Sequence, residues 1–283
     1  MALSSALAPA AALSSGSALA KAMAIFRRDA RLARSYPAAF WLQWVGIAIE
    51  VAALYFISRL VGPSPLFGVG GRTAPYFNYV VLNVAFVRFQ STAIQCFQQA
   101  IRGDQMLGTL EAVLATPTGL PLVVLSAGLW AFALTALQVA TFLVLAAMLG
   151  LDLHHANPTS AIAFIALTVA CMSPLGVLGA ASTMTFKQAG PTNFIMGGAA
   201  TLLGGVLFPV AKLPHALQIV SWLLPITHAL NGIRGAAQGE TLARLLPDAT
   251  WLAVAAIVLL PLSLVVFNRA VRRAKIDGTL GQY

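Results

Sequence analysis

Three long stretches of this chain contain no Asp, Glu, Lys or Arg: between Glu111 and Asp152, between Asp152 and Lys187, and between Asp248 and Arg269. Each has room for the ~20 apolar residues that a helix needs to cross a bilayer. Inside hydrocarbon every backbone polar group must be satisfied within its own segment, which leaves few folds open to such a chain. The composition agrees, with 9% charged residues, 59% hydrophobic and a mean hydropathy of +0.84; a soluble domain carries about 25% charged residues. The chain therefore reads as an all-α integral membrane protein of the polytopic kind.

Hydropathy and punctuation place six spans at about 40–61, 76–100, 120–149, 160–185, 193–209 and 250–268. The loop 62–75 is rich in Gly and Pro and reads as irregular. Before the first span, Lys21–Tyr36 carries Arg27, Arg31 and Arg34 on one helical face, with Ile25, Leu32 and Tyr36 on another. That pattern suits an interfacial amphipathic helix on anionic lipid, or a plain positive-inside tether. Residues 1–20 are nearly all Ala, Ser, Leu and Gly without charge. Lacking the basic start of a secretory signal, they read as a disordered cytoplasmic tail. Residues 269–283 read as a basic cytoplasmic tail.

The net charge of +9 does not point to nucleic acid, because its cations cluster beside spans and no soluble region is large enough for a basic domain. Cys96 and Cys171 both fall within spans, where they serve as small apolar residues rather than as a disulfide.

Between the second and third spans lies IRGDQMLGTLEAVLATP, Ile101–Pro117. Met106, Leu107, Leu110, Val113 and Leu114 recur at helical spacing, while Arg102, Asp104 and Glu111 supply charge. Pro117 stops the segment, which is too short to span. It reads as a helix over 104–116 lying flat at the surface, placed to touch a soluble partner.

The apolar stretch 213–232 raises the question of a seventh span. Pro214 and Pro225 cut it into pieces too short to cross. Topology gives a second reason. With six spans and an inner N-terminus, the cations inside are Lys21, Arg27, Arg28, Arg31, Arg34, Arg102, Lys187, Arg269, Arg272, Arg273 and Lys275. Only Arg72, Lys212, Arg234 and Arg244 lie outside. A seventh span would export the basic tail, against the positive-inside rule. The region 212–234 is therefore expected to be a re-entrant hairpin on the outer side, with its broken backbone buried by protein.

Two motifs now carry a resemblance. GTLEAVLATP at Gly108–Pro117 resembles the cytoplasmic loop signature of type-2 ATP-binding-cassette (ABC-2) export permeases. The run from Gly204 to Glu240 is similar to the same family's sequence of a Phe-Pro turn (Phe208, Pro209), a Leu-Pro (Pro214), a Leu-Pro-Ile-Thr-His (Pro225, His228) and an Arg-Gly (Arg234). The resemblance covers about 21–275 and is to the branch that exports drugs, lipids or lipo-oligosaccharides. It implies two six-helix subunits forming one pathway, as a homodimer or with a sister subunit, each seated on a separate nucleotide-binding ATPase subunit that holds ATP and Mg. It further implies that 104–116 is the coupling helix, 21–36 the connecting helix and 212–234 the re-entrant elements that close the exit. Transport outward across a prokaryotic inner membrane, with both termini cytoplasmic, follows from it too. The chain has no Walker A sequence, so it does not cradle ATP itself and needs no cofactor of its own.

Within the spans, Glu50 and Arg88 sit near mid-membrane, where a lone charge costs about 2.5–3.5 kcal/mol on insertion scales. They are expected to approach each other or their symmetry mates, either fixing helix register or touching substrate. Arg88, Thr92, Gln95 and Gln99 line one face of the second span, with Gln98 beside them. That face either lines a pathway or hydrogen-bonds to a neighbour. Gly197, Thr201 and Gly205 make a small-residue stripe for close packing within a subunit or for a dimer seam. Pro174, with Gly176 and Gly179 nearby, is expected to kink the fourth span. His154 and His155 share an outer loop with Asp152 but have no third ligand near them in sequence, so no metal site is assigned.

An intramembrane enzyme would want a nucleophile with its base or an H-E-x-x-H set, and neither spacing is present. A passive channel would not need a cytoplasmic coupling helix. The expected cargo is amphipathic or hydrophobic, with a lipid-linked glycan or glycolipid as the alternative. Phe77, Phe86, Phe89 and Phe97 either meet it or are ordinary packing residues.

Overall fold

The computed structural model describes residues 18–35, 37–61, 76–106, 108, 120–186, 203–206 and 209–276, and among them there is no strand. In chain order the helices are α1 (Ala18–Arg34), α2 (Pro37–Val61), α3 (Tyr76–Met106), α4 (Leu120–Met148), α5 (Pro158–Phe186), α6 (His215–Leu223), α7 (Pro225–Ala237) and α8 (Leu246–Ile276). A single 3₁₀ turn, Val210–Lys212, precedes α6.

Five of these helices are long and apolar enough to cross a membrane: Phe40–Val61, Tyr76–Asp104, Gly128–Met148, Pro158–Ser182 and Leu246–Arg273. The number rises to six if α6 and α7, bent by 82° at their junction, count as one broken span. Of the expected fifth span, residues 193–202, with Gly197 and Thr201, lie outside the described residues, as do 207 and Phe208.

Several boundaries differ from expectation for clear reasons. Ala18–Ala20 belong to α1 rather than to a disordered tail; residues 1–17 lie outside the described set. Pro37 opens α2 at its first helical position, where its missing N–H has no intrahelical partner to lose. The α3 helix does not stop at Ala100 but runs on through Met106. Nothing in Ile101–Met106 breaks a helix, a single Gly costing only about 1 kcal/mol. Likewise α8 continues through Arg269–Arg273 to Ile276, so the expected basic tail opens as helix. Arg, Lys and Ala are strong helix formers, and leaving the hydrocarbon does not end a hydrogen-bonded ladder.

Helix α5 is the hub. It packs most extensively against α8, then against α3 and α7. Its contact with α3 is a backbone approach: a Cβ on Gly176 would run into the carbonyls of Ala93 and Ile94, the latter at 2.7 Å, and one on Gly179 would collide with Gln98. Small residues at such crossings let membrane helices approach closely. Pro174 lies inside α5 without ending it.

Three apolar clusters fill the bundle. One joins α3, α5, α7 and α8 through Phe86, Phe164, Leu230 and Leu252. A second joins α2, α3 and α4 through Val51, Val81 and Phe142. A third, at the other end, gathers Cys96, Phe97, Val177 and Phe267. Phe77, Phe86, Phe89 and Phe97 are all buried, so within the subunit they are packing residues. Cys96 and Cys171 are buried free thiols.

The first span is the least enclosed. Only 11% of the α2 window is buried, against 61% for α3. Trp41, Leu42, Ile49, Phe56 and Leu60 of α2 are all more than 60% exposed.

Candidate functional site

The structure brings Glu50 and Arg88 together. An Arg88 Nη2 donates to Glu50 Oε2, joining the middle of α2 to the middle of α3. The Arg88 guanidinium also stands 5.3 Å from the centroid of the Phe142 ring on α4, a cation–π distance. Neither side chain is sealed: 40% of Glu50 and 24% of Arg88 remain exposed, while the buried Arg88 Nε has no partner. A pair built this way neutralises two membrane-embedded charges without fixing them rigidly.

The polar face expected on the second span divides. Thr92 Oγ1 lies 2.7 Å from Thr135 Oγ1 of α4, so this hydroxyl serves contact between helices of one subunit. Gln99 donates to Gln95 one turn earlier, at 3.3 Å, and is itself exposed. A second polar set, on the buried side of α3, is not visible from periodicity. Asn83, Gln90 and Gln98 are each at most 4% exposed, and the amide atoms of Gln98 and the carbonyl of Gln90 have no hydrogen-bond partner.

At the end of α3 that carries Asp104, the N-terminal helix closes on the bundle. Phe26 meets Trp130 of α4 edge-on at 5.4 Å between ring centroids. Arg28 lies 3.7 Å from the Asp104 carboxylate and 2.9 Å from that of Asp29. The amphipathic face read as lipid-bound thus rests partly on protein. Arg102 and Met106 are exposed beside this junction. Leu107, Leu110, Glu111 and Leu114 lie outside the described residues, and with them most of the expected 104–116 helix; its first residues, Asp104–Met106, are the last turn of α3.

The opposite end holds the bent pair. Pro214 precedes α6, Pro225 occupies the first turn of α7, and Pro209 precedes the 3₁₀ turn. Each Pro stands where no intrahelical donor is needed. The two flanks of the pair reach the same end of the bundle. Before it, the Gly205 carbonyl accepts from Tyr79 Oη at 2.7 Å, near the start of α3. After it, the Asn157 amide donates to the Ala236 carbonyl at 2.7 Å, just before α5, and Ser160 Oγ donates to the Glu240 carbonyl at 3.1 Å. Gly239, at φ +86°, makes the intervening turn against the His155 carbonyl, where a side chain would have no room.

Arg234 is the surprise of this region. Counted among the outer cations from the sequence, it is 7% exposed and wedged against α3. Its Nε donates to Asn83 Oδ1 at 2.9 Å, an Nη2 donates to the Gly205 carbonyl, and its guanidinium lies 4.5 Å from the centroid of the Tyr79 ring. Asn83 passes the connection on through its Nδ2, which donates to the Val206 carbonyl at 2.7 Å. No carboxylate pairs with Arg234 among the described residues. The buried cation is carried by neutral acceptors and an aromatic face, a planar fork that only Arg presents.

His228 fastens the pair to α8. Its ring stacks on Trp251 at 4.7 Å and 18°, Nδ1 lies 2.6 Å from Asp248 Oδ1, and Nε2 lies 2.8 Å from the Trp222 carbonyl. A carbonyl only accepts, so Nε2 is the donor to Trp222. Sequence reasoning missed Tyr79, Asn83, Asp248 and Trp251. Asp248 and Trp251, three residues apart at the start of α8, share a face that was there to be read; neutral Asn83 gave no signal. His154 and His155 lie in the exposed loop before α5, and among the described residues no group of three His, Cys, Asp or Glu is gathered as a metal set would require.

The described residues thus form a bundle of apolar helices with an ion pair between α2 and α3, a basic helix at one end and a clamped, bent pair at the other. No curated protein matches the chain. A family model described as ABC-2 type transporter matches residues 22–237, from the second turn of α1 to the last residue of α7. The chain belongs to the ABC-2 type transporter family, as a multi-pass membrane permease of the kind that works with an ATP-binding subunit.

Proposed function

We propose that this chain is the permease subunit of an ATP-driven exporter that moves an amphipathic or hydrophobic substrate, such as a drug, lipid or lipo-oligosaccharide, outward across a prokaryotic inner membrane. The observation that carries this reading is the junction at one end of the bundle. Arg28 of α1 reaches Asp104 where α3 gives way to the coupling sequence, so a push received there meets two elements at once. In this reading Arg102, Asp104, Met106, Leu107, Leu110, Glu111 and Leu114 face a nucleotide-binding subunit, which binds ATP and Mg. Both termini are then cytoplasmic, in keeping with the basic segments Lys21–Arg34 and Arg269–Lys275.

The bent pair then closes the exit. Its two flanks meet the same end of the bundle through Gly205 and Ala236, which suits a re-entrant element better than a crossing. The exposed α2 face around Glu50 would meet a second copy, a homodimer placing two Glu50–Arg88 pairs across one pathway. Gln95 and the exposed Gln99 are the parts of the polar face left for that pathway; Thr92 is already committed within the subunit.

The test is co-expression with candidate nucleotide-binding subunits, reading co-purification and ATPase rate. Loss of the complex, or of stimulated ATPase, in a Leu110→Asp/Glu111→Ala variant and in Arg28→Glu is the expected result. A stable chain that captures no ATPase in any variant would end the transporter reading.

A further inference from the structure

A groove of about 770 Å³ runs along one flank of the bundle, between the elbow of the bent pair and α8. Its walls are Leu175 of α5, the elbow residues Leu223 and Pro225, and Trp251, Val254 and Val258 of α8, among others. We propose that this groove is a binding site for one acyl chain of a bilayer phospholipid, with the headgroup at the Trp251–His228–Asp248 end. The inference uses only the membrane placement of α8 and holds whatever the permease carries.

Four observations lead there. The lining offers almost nothing to a polar ligand: its single hydroxyl, Thr250 Oγ1, is spent on the Pro247 carbonyl at 3.0 Å. The groove lies along a helix long and apolar enough to span, whose Val254, Ile257 and Val258 are 60%, 72% and 58% exposed in the subunit. Its length fits one leaflet, since Pro247 to Leu259 at ~1.5 Å per residue is roughly 18 Å, against about half of a ~30 Å hydrocarbon core. Finally, the ends differ as those of a lipid do. Trp251 stacks on His228, which is bonded to Asp248, while the far end at Val258 and Leu259 is bare hydrocarbon. Aromatic and polar side chains of this kind collect at headgroup depth.

The concavity adds contacts on three sides that a flat helix face does not give, so a chain seated here is retained over its neighbours in the annulus.

The test uses the full chain in vesicles of phosphatidylethanolamine and phosphatidylglycerol, doped with a phospholipid bearing a diazirine in its acyl chain. After photolysis, adducts are mapped by mass spectrometry. Adducts at Leu223, Val254 and Val258 should exceed those at the exposed α4 residues Val144 and Met148 by about fivefold, the ratio that ~1 kcal/mol of preference gives. Ala255→Trp, which fills the groove, should return Leu223 labelling to the α4 level without changing α4 labelling. Val258→Trp, at an exposed position, repeats the test if Ala255→Trp fails to fold. Equal labelling of both faces, or Leu223 labelling that ignores both Trp variants, would overturn the proposal. So would a disulfide between two copies through Val258→Cys with Leu223 unlabelled, which would place a second subunit in the groove.

Discussion

Arg88 and Arg234 are both cations within the helical bundle, and they are handled in opposite ways. Arg88 has a carboxylate partner yet keeps 24% of its side chain exposed, with Glu50 at 40%. Arg234 has no carboxylate partner among the described residues, is 7% exposed, and is satisfied by Asn83, the Gly205 carbonyl and the Tyr79 ring. An ion pair neutralises charge but tolerates movement of either partner. A guanidinium seated on fixed carbonyl and amide acceptors tolerates almost none, because each acceptor lost is a buried group left without a donor. The bent-pair end of the molecule is thus built to stay, and the α2–α3 junction is built to give.

Breaking the rigid member should have the largest effect. Arg234→Leu leaves the Asn83 oxygen without its donor and the Gly205 carbonyl with one fewer, at ~1–3 kcal/mol for each orphaned group. Thermal melting in detergent should therefore drop further than for any variant below, and Arg234→Lys should recover only part, an ammonium lacking the fork. Wild-type melting of Arg234→Leu would abolish the contrast.

Next comes the clip at the same end. His228→Phe keeps a ring for Trp251 but removes both hydrogen bonds, for a loss of about 1–2 kcal/mol. Protease cutting near Trp222 should rise while the α3–α5 core stays protected. A variant as resistant as the parent would show that stacking alone fastens α7 to α8.

The yielding member should cost less in stability and more in work. Glu50→Gln and Arg88→Gln should each shift melting by about 1 kcal/mol or less, as for a partly exposed pair. Transport, in the assembled transporter, should fall in both, and the exchanged pair Glu50→Arg/Arg88→Glu should regain some of it. Unchanged transport in both single variants would reduce the pair to a spacer. Smallest of all is Thr92→Val with Thr135→Val, at ~0.6 kcal/mol for an interhelical hydrogen bond in lipid. A double-mutant cycle on melting free energy would read it, and a large coupling there would mean that α3 and α4 depend on polar contact more than their apolar cluster implies.

How far the sequence reached can be judged from the same residues. Charge-free stretches located the long helices because the cost of burying charge in hydrocarbon is written in composition. Glu50 and Arg88 were legible for that reason: two lone charges at one depth seek each other. Arg234 was not, since its partners are neutral and Asn83 lies 151 positions away. Amphipathic pattern also left one choice open for a physical reason. The apolar face of α1 rests partly on Trp130, and hydrophobic spacing does not distinguish a protein surface from a lipid one as the apolar medium. On α3 the exposed-looking polar stripe was evident, whereas Gln90 and Gln98 are buried on another face where periodicity predicts apolar residues.

The glycine crossing of α3 and α5 has a mechanical meaning. Where Gly176 meets the Ala93 and Ile94 carbonyls there is no side-chain cushion to shear, so sliding α5 along α3 would drive backbone against backbone, and α8 is packed along the same α5. The α2 helix stands apart from that crossing, held to α3 and α4 by side chains alone: an apolar cluster, the Glu50–Arg88 pair and a Gln43–Gln138 hydrogen bond.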